Sequence, residues 1–142
     1  MTQAKDVIGG KTLDDHLQRL HHDIGDNNCY IPIIVERLKT INPYKIILFG
    51  SYAYGKPQAD SDIDLIVVLN QRGVARTYQE KYQKRMIVHK QLLAIEREVS
   101  LDTLVYTQDE WTQFLSQNSS FSKLINRKGV VLYEASHSRM AQ

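Results

Sequence analysis

Cysteine is almost absent from this chain, with Cys29 the single example in 142 residues. One thiol excludes an internal disulfide and any multi-cysteine metal centre. With no base beside it in sequence, Cys29 reads as a small buried or half-buried side chain and not as a nucleophile. Long apolar runs are missing too. The longest aliphatic stretch, Leu65-Ile66-Val67-Val68-Leu69, has five residues, where a membrane-spanning helix needs about 20. Residues 1–20 lack the basic start and apolar middle of a signal peptide, so a cytoplasmic protein with no membrane partner is expected. An excess of one charge is absent as well: 18 Lys and Arg against 16 Asp and Glu leave a net charge of +2. No whole-molecule field commits the chain to polyanions, and any such attraction must be local. Finally, there are no internal repeats or low-complexity tracts, and there is one tryptophan.

What is present is the material of one ordinary domain. The chain is 42% apolar and 24% charged, enough to bury a core. Residues 1–30 are polar and irregular, with Gly9-Gly10, Gly25 and Asp26-Asn27-Asn28 around one helix from about Leu13 to His22; they read as an appendage. His16, His21 and His22 in that segment are not at the i, i+4 spacing that stacks two imidazoles on one helical turn, so they read as solvated polar residues.

From Ile31 the pattern becomes regular. Ile34, Leu38 and Ile41 at i, i+4 and i+7 predict an amphipathic helix that Asn42-Pro43 stops. Lys45–Phe49 reads as a buried strand leading into a short helix from Ser51 to Tyr54, closed by Gly55-Lys56-Pro57. Asp62–Leu69 and Leu101–Tyr106 read as two further strands, separated by a long helix over roughly Thr77 to Val99. Thr107-Gln108-Asp109-Glu110 has the Thr-x-x-Glu form of a capping box, predicting a helix from Asp109 to about Ser116. A helix near Ser120–Asn126 and a last strand, Val130–Tyr133, complete a domain spanning 31–134. Residues 135–142 read as a tail. Strands alternating with helices predict an α/β (α+β) domain.

The chemistry is concentrated between Phe49 and Leu65. A strand ending in Gly50-Ser51 and running straight into a helix aims backbone N–H groups and a hydroxyl at one point, with no Cβ at Gly50 to obstruct it. That is a phosphate cradle. Asp62 and Asp64, two apart on a strand, project from one face, while Ile63, Leu65 and Val67 take the other. Two carboxylates about 5 Å apart repel by about 3 kcal/mol at an effective dielectric near 20, unless a cation sits between them. All-oxygen donors favour Mg²⁺, or Mn²⁺, over zinc, and Mg²⁺ is commonly held by carboxylates together with substrate phosphates. Asp102 is the only Asp in the downstream strands; if its strand lies beside that of Asp64, three carboxylates gather. Asp60 reads either as a further acidic wall or as a solvated turn residue.

Phe49-Gly50-Ser51, Asp62-Ile63-Asp64-Leu65 and Leu101-Asp102 together resemble the signature of the polymerase β-type nucleotidyltransferase superfamily, and within it the minimal nucleotidyltransferases. The likeness covers roughly Ile31 to Tyr133. It implies a small mixed β-sheet with helices packed on it, and transfer of a nucleoside monophosphate, AMP foremost, from an NTP such as ATP to a protein or RNA acceptor with release of pyrophosphate. It implies that Gly50 and Ser51 hold phosphates, that Asp62 and Asp64 bridge two Mg²⁺ ions, and that Asp102 ligates the catalytic ion and helps deprotonate the acceptor hydroxyl. Small members are often paired with a HEPN-domain ribonuclease as its antitoxin. Some silence it by attaching AMP; the alternative is a non-catalytic, nucleotide-binding or partner-binding antitoxin that acts by forming a complex. A homo-oligomer is compatible with either. One departure stands out: many minimal members carry an Arg where Tyr54 stands, leaving Lys56 or Lys45 as the candidate phosphate-directed cation. Larger relatives carry extra acceptor-gripping domains, so specificity is expected to come from a separate partner chain or from the acceptor's own fold.

Three further features carry two readings each. Arg72 to Arg97 holds seven basic and two acidic residues, a local +5 that is either a solvated helix face or a guide for NTP or RNA. Its apolar stripe is expected at Tyr78, Tyr82 and Met86. Tyr52 and Tyr54 either pack the short helix or stack on a base. Trp111, Phe114 and Leu115 are expected in the core.

Overall fold

The computed structural model describes the backbone of Val7, Ile8, Lys11 and Thr12, and residues 29–58 and 60–135 in full. The helix expected at Leu13–His22, its three histidines and the tail beyond Ala135 lie outside the described residues. Val7–Ile8 (β1) and Lys11–Thr12 (β2) pair antiparallel as a short ribbon, with Gly9-Gly10 between them. The domain then runs α1 (Tyr30–Lys39), β3 (Lys45–Phe49), α2 (Ser51–Tyr54), β4 (Ile63–Val68), α3 (Tyr78–Glu96), β5 (Leu101–Tyr106), α4 (Gln108–Ser116), α5 (Ser120–Lys128) and β6 (Val130–Glu134).

The sheet order is β5-β4-β3-β6. β3 is antiparallel to both β4 and β6, whereas β4 and β5 are parallel, the long α3 supplying the crossover that a parallel pair requires. Both faces are covered, which is why β4 is buried at five of its six positions instead of alternating. On one face, Ile33, Ile34 and Leu38 of α1 and Val88, Leu92 and Ile95 of α3 pack against Ile46, Leu48, Ile63, Leu65 and Val67. On the other, Trp111, Phe114 and Ile125 of α4 and α5 cover Ile47, Ile66 and Val68. An aromatic chain crosses this second face. Phe49 meets Phe121 edge-on at 5.5 Å, Phe121 meets Phe114 at 5.5 Å, and Phe114 stacks on Trp111 at 5.3 Å beside Tyr106.

Three expectations need correction. Helix α1 ends at Lys39, and Ile41 falls in the turn beyond it, where Asn42 takes a positive φ of 51°. The buried stripe of α3 is Val88, Leu92 and Ile95, continued by Val99, while Tyr78 is 78% and Tyr82 47% exposed and Met86 is half-buried. A helix carrying two apolar stripes buries the one its crossover geometry turns to the sheet. Leu115 is exposed, although Trp111 and Phe114 are core as expected.

The capping box at Thr107/Glu110 is present with both reciprocal bonds, and a second, at Thr77/Glu80, starts α3. Glu110 does more than cap. Its carboxylate also accepts the N–H of Ala75 at 2.7 Å and pairs with Lys84 at 2.6 Å, both side chains being nearly buried. Burial alone would raise the Glu110 carboxyl, but Lys84 and the backbone N–H groups of Thr107 and Ala75 outweigh it and hold it below its ordinary range. The β4–α3 loop is thereby fastened to the start of α4. Arg72 pairs with Asp109 at 3.0 Å, the Gly73 N–H donates to Asp109, and Thr107 Oγ1 donates to the Gly73 carbonyl.

Candidate active site

The sheet register assembles the carboxylates. Phe49 of β3 is the partner of Asp64 of β4, and Asp64 is the partner of Asp102 of β5. The three positions form one cross-strand row, pointing to the α4/α5 face at the end of the sheet where β3 finishes and β4 and β5 begin. The condition set by the sequence is met: the strand of Asp102 lies directly beside that of Asp64, in parallel. Ile63, Leu65 and Val67 take the opposite face, within the first core cluster.

Asp62 is placed differently from expectation. The strand begins at Ile63, so Asp62 is an exposed residue just ahead of it, and the two-residue period fixes the direction of Asp64 but not of Asp62. Among the described residues, no three His, Cys, Asp or Glu side chains stand together as a complete metal-ligand set. Register sets the Cα positions; side-chain torsions decide how closely the oxygens converge.

Electrostatics ties the three together. Burial pushes the Asp64 carboxyl above its ordinary value, and the charges of Asp102 and then Asp62 push it the same way. A half-buried carboxylate flanked by two others is costly to ionise. The donors are oxygen only, the chemistry that a hard divalent cation such as Mg²⁺ prefers.

Gly50 closes the site from the β3 side. Its φ is +74°, and a Cβ there would overlap Asp64 Oδ2, so both conformation and space require glycine. In α2 the first intrahelical donor is Ala53, whose N–H goes to the Gly50 carbonyl at 3.0 Å. The Ser51 N–H therefore lies ahead of that bond, on the same turn as the Ser51 hydroxyl. Gly55 is also pressed, since a Cβ there would meet the Ser51 backbone.

The remaining candidates separate. Lys45 pairs with Glu134 at 3.6 Å and sits opposite Val68. It is four residues along the strand from Phe49, about 13 Å away, so it is not the phosphate-directed cation. Lys56 is exposed in the loop after α2. Asp60 is an exposed turn residue. Tyr52 packs partly against the core, and Tyr54 is exposed. Within the +5 segment, Lys84 and Arg72 are engaged by Glu110 and Asp109, so the local charge is smaller than its count. The sequence offered no sign of these tertiary pairings.

Three solved structures are similar to this chain. A candidate nucleotidyltransferase from Sulfolobus solfataricus has 16% identity and a TM-score of 0.48, over 75% of this chain and 79% of that one. A toxin–antitoxin complex with AMP-PNP has 19% identity and a TM-score of 0.44, over 76% of each chain. A mutant of the toxin–antitoxin MntA–HpeT has 17% identity and a TM-score of 0.44, over 78% of this chain and 77% of that one. No curated protein matches. The family model described as nucleotidyltransferase domain matches residues 31–127, from the first turn of α1 through nearly all of α5, and the chain belongs to that family of nucleotidyltransferases.

Proposed function

We propose that this nucleotidyltransferase moves a nucleoside monophosphate, AMP foremost, from an NTP·Mg²⁺ complex to a hydroxyl on a protein or RNA acceptor, releasing pyrophosphate. The observation that carries the reading is the single cross-strand row in which Asp64 and Asp102 are direct neighbours, with Gly50 seated against Asp64.

Asp62, Asp64 and Asp102 would hold the divalent cation, two ions in the two-metal form, which when bound neutralises polyphosphate charge and makes the acceptor hydroxyl more acidic. Gly50 lets the phosphates approach the backbone, and Ser51 donates its N–H and hydroxyl to their oxygens. Lys56, exposed in the loop after α2, is the candidate cation for the same groups, in the place of the Arg that Tyr54 displaces. Asp102, exposed on the strand nearest solvent, accepts the proton of the attacking hydroxyl. The electron pair of the hydroxyl oxygen forms the new bond to the α-phosphorus as the bond to the pyrophosphate oxygen breaks.

The resemblance to minimal nucleotidyltransferases extends the proposal to a partner, a HEPN-domain ribonuclease whose toxicity this chain neutralises. The test uses ATP labelled at the α-phosphate, Mg²⁺, and the product of the neighbouring reading frame as acceptor. Label transfer well above an Asp62→Asn/Asp64→Asn control is expected, and transfer no greater than the control would falsify the catalytic reading. In cells, neutralisation that survives conversion of all three Asp to Asn would instead establish silencing by complex formation.

A further inference from the structure

Strand β5 is the edge of the sheet among the described residues. The Ile63 N–H donates to Ser100 O at 3.0 Å and the Leu69 N–H to Tyr106 O at 2.7 Å. In a parallel ladder both polar groups of a residue turn to the same side, so the even-numbered residues from Ser100 to Tyr106 face β4. Leu101, Thr103 and Val105 therefore turn their N–H and C=O groups to the open edge. A groove of about 310 Å³ runs beside that edge, floored by Leu101, Thr103 and Val105 and walled by α3 through Tyr82, Arg85 and Met86. Toward the Tyr106 end a second hollow brings in Lys81. Lys81 and Arg85 are exposed, and neither has an ion-pair partner among the described residues. At the Leu101 end stands Glu96, held by His89 at 3.1 Å.

We propose that this edge is the acceptor-docking site: an extended segment of the acceptor protein adds as a strand beside β5, with acidic side chains against Lys81 and Arg85. The proposal rests on the transfer reading and supplies its substrate class, a hydroxyl-bearing, acidic, extended peptide. Three observations converge on that occupant. Main-chain groups at alternate residues are what strand addition pairs with, and the half-buried apolar floor beside them suits alternate side chains. The unpaired cations ask for carboxylates, and they also oppose self-pairing, because a second copy of β5 would bring Lys81 and Arg85 against their own counterparts.

The third observation is the carboxylate row. Phe49, Asp64 and Asp102 occupy successive strands in one row, and the next place in that row, about 5 Å beyond Asp102, belongs to the added strand on the same face. A hydroxyl residue there would sit next to Asp102. Lys81 and Arg85 belong to α3 on the opposite face, alongside Thr103 to Tyr106, and would then take carboxylates one or three residues further along, where the strand's alternation turns side chains to that face. The expected acceptor motif is a Ser, Thr or Tyr with Asp or Glu at that spacing in an extended segment.

The test is selection of a displayed random dodecapeptide library on the full chain, followed by amide hydrogen exchange with the best synthetic peptide. Enriched peptides should be acidic and alternating, and should protect the N–H groups of Leu101, Thr103 and Val105 at least tenfold while leaving those of Asp102 and Leu104 unchanged. Lys81→Glu/Arg85→Glu should weaken binding at least tenfold, and replacing the peptide's acidic residues with lysine should restore it. The Asp62→Asn/Asp64→Asn variant should bind as well as the parent, so docking is read separately from transfer. Absence of enrichment, protection elsewhere, or enrichment of basic peptides would overturn the proposal. So would loss of exchange at the same three amides on raising protein concentration alone, which would identify a second copy as the occupant. Transfer activity without protection at this edge would sink the docking site and leave the transfer reading intact.

Discussion

The two ends of the sheet are built on opposite principles. At the end where β4 and β5 finish, Glu110, Asp109 and Thr107 meet Lys84, Arg72 and the loop backbone, and each of these charges has a counter-charge or a donor. At the end where they begin, Asp64 feels the charges of Asp102 and Asp62, and a glycine is held at positive φ against it. One end is satisfied by the chain itself; at the other, none of the three carboxylates has an ion-pair partner among the described residues. Stability and chemistry are thus segregated along the length of the same two strands.

The sharpest way to test that contrast is Asp64→Asn. Transfer should fall by about 10³-fold, the scale of losing a principal electrostatic group, while the thermal midpoint in EDTA rises. Because folding raises the Asp64 pKa, the folded state binds this proton more tightly than the unfolded state. Its contribution to stability is therefore lost as pH rises from the ordinary carboxylate range through the raised value. The melting difference between variant and parent should be larger at pH 7 than at pH 4, and Mg²⁺ should raise the midpoint of the parent alone. A variant that melts lower than the parent at pH 7 would show that this end is not frustrated.

The opposite end should respond in the opposite sense. Glu110→Ala strands Lys84 and two backbone donors, at a cost of about 3 kcal/mol or more in denaturant unfolding, with little effect on the rate per folded molecule. Glu110 has a lowered pKa, so its contribution is present at neutral pH and is lost as pH falls through the folded value. The alanine variant and its parent should accordingly converge in stability on acidification. Gly50→Ala is a smaller perturbation of stability, about 2 kcal/mol for the strained φ and the displaced carboxylate, but it should take transfer down with it. The smallest effect is expected for Thr77→Ala, about 1 kcal/mol from the lost cap of α3, again by denaturant titration and with transfer unchanged.

The reactive end was far more legible in the sequence than the satisfied one. Gly50-Ser51 and Asp-x-Asp are local patterns; Lys45–Phe49, bounded by Pro43 and Gly50, has its expected limits, whereas the strand expected over Asp62–Leu69 runs over Ile63–Val68. Even there, the position of Asp102 beside Asp64 depended on a strand order that periodicity does not contain. The clamp is tertiary throughout: Thr-x-x-Glu announced a helix cap, but nothing near Glu110 announced Lys84, 26 residues earlier. The stripe on α3 was misread for the same reason. Tyr78, Tyr82 and Met86 and the series Val88, Leu92, Ile95 and Val99 each keep helical spacing, and only the crossover decides which one meets the sheet.

Trp111 is the one tryptophan in the chain, and its position makes it a reporter. It stacks on Phe114, which meets Phe121, which meets Phe49, the residue before Gly50. Indole emission, excited selectively above the tyrosine band, therefore comes from a single site at the clamped end, in contact through a chain of rings with the β3 residue that borders the proposed phosphate cradle. Adding nucleotide and titrating the emission gives an optical view of the reactive end without any label.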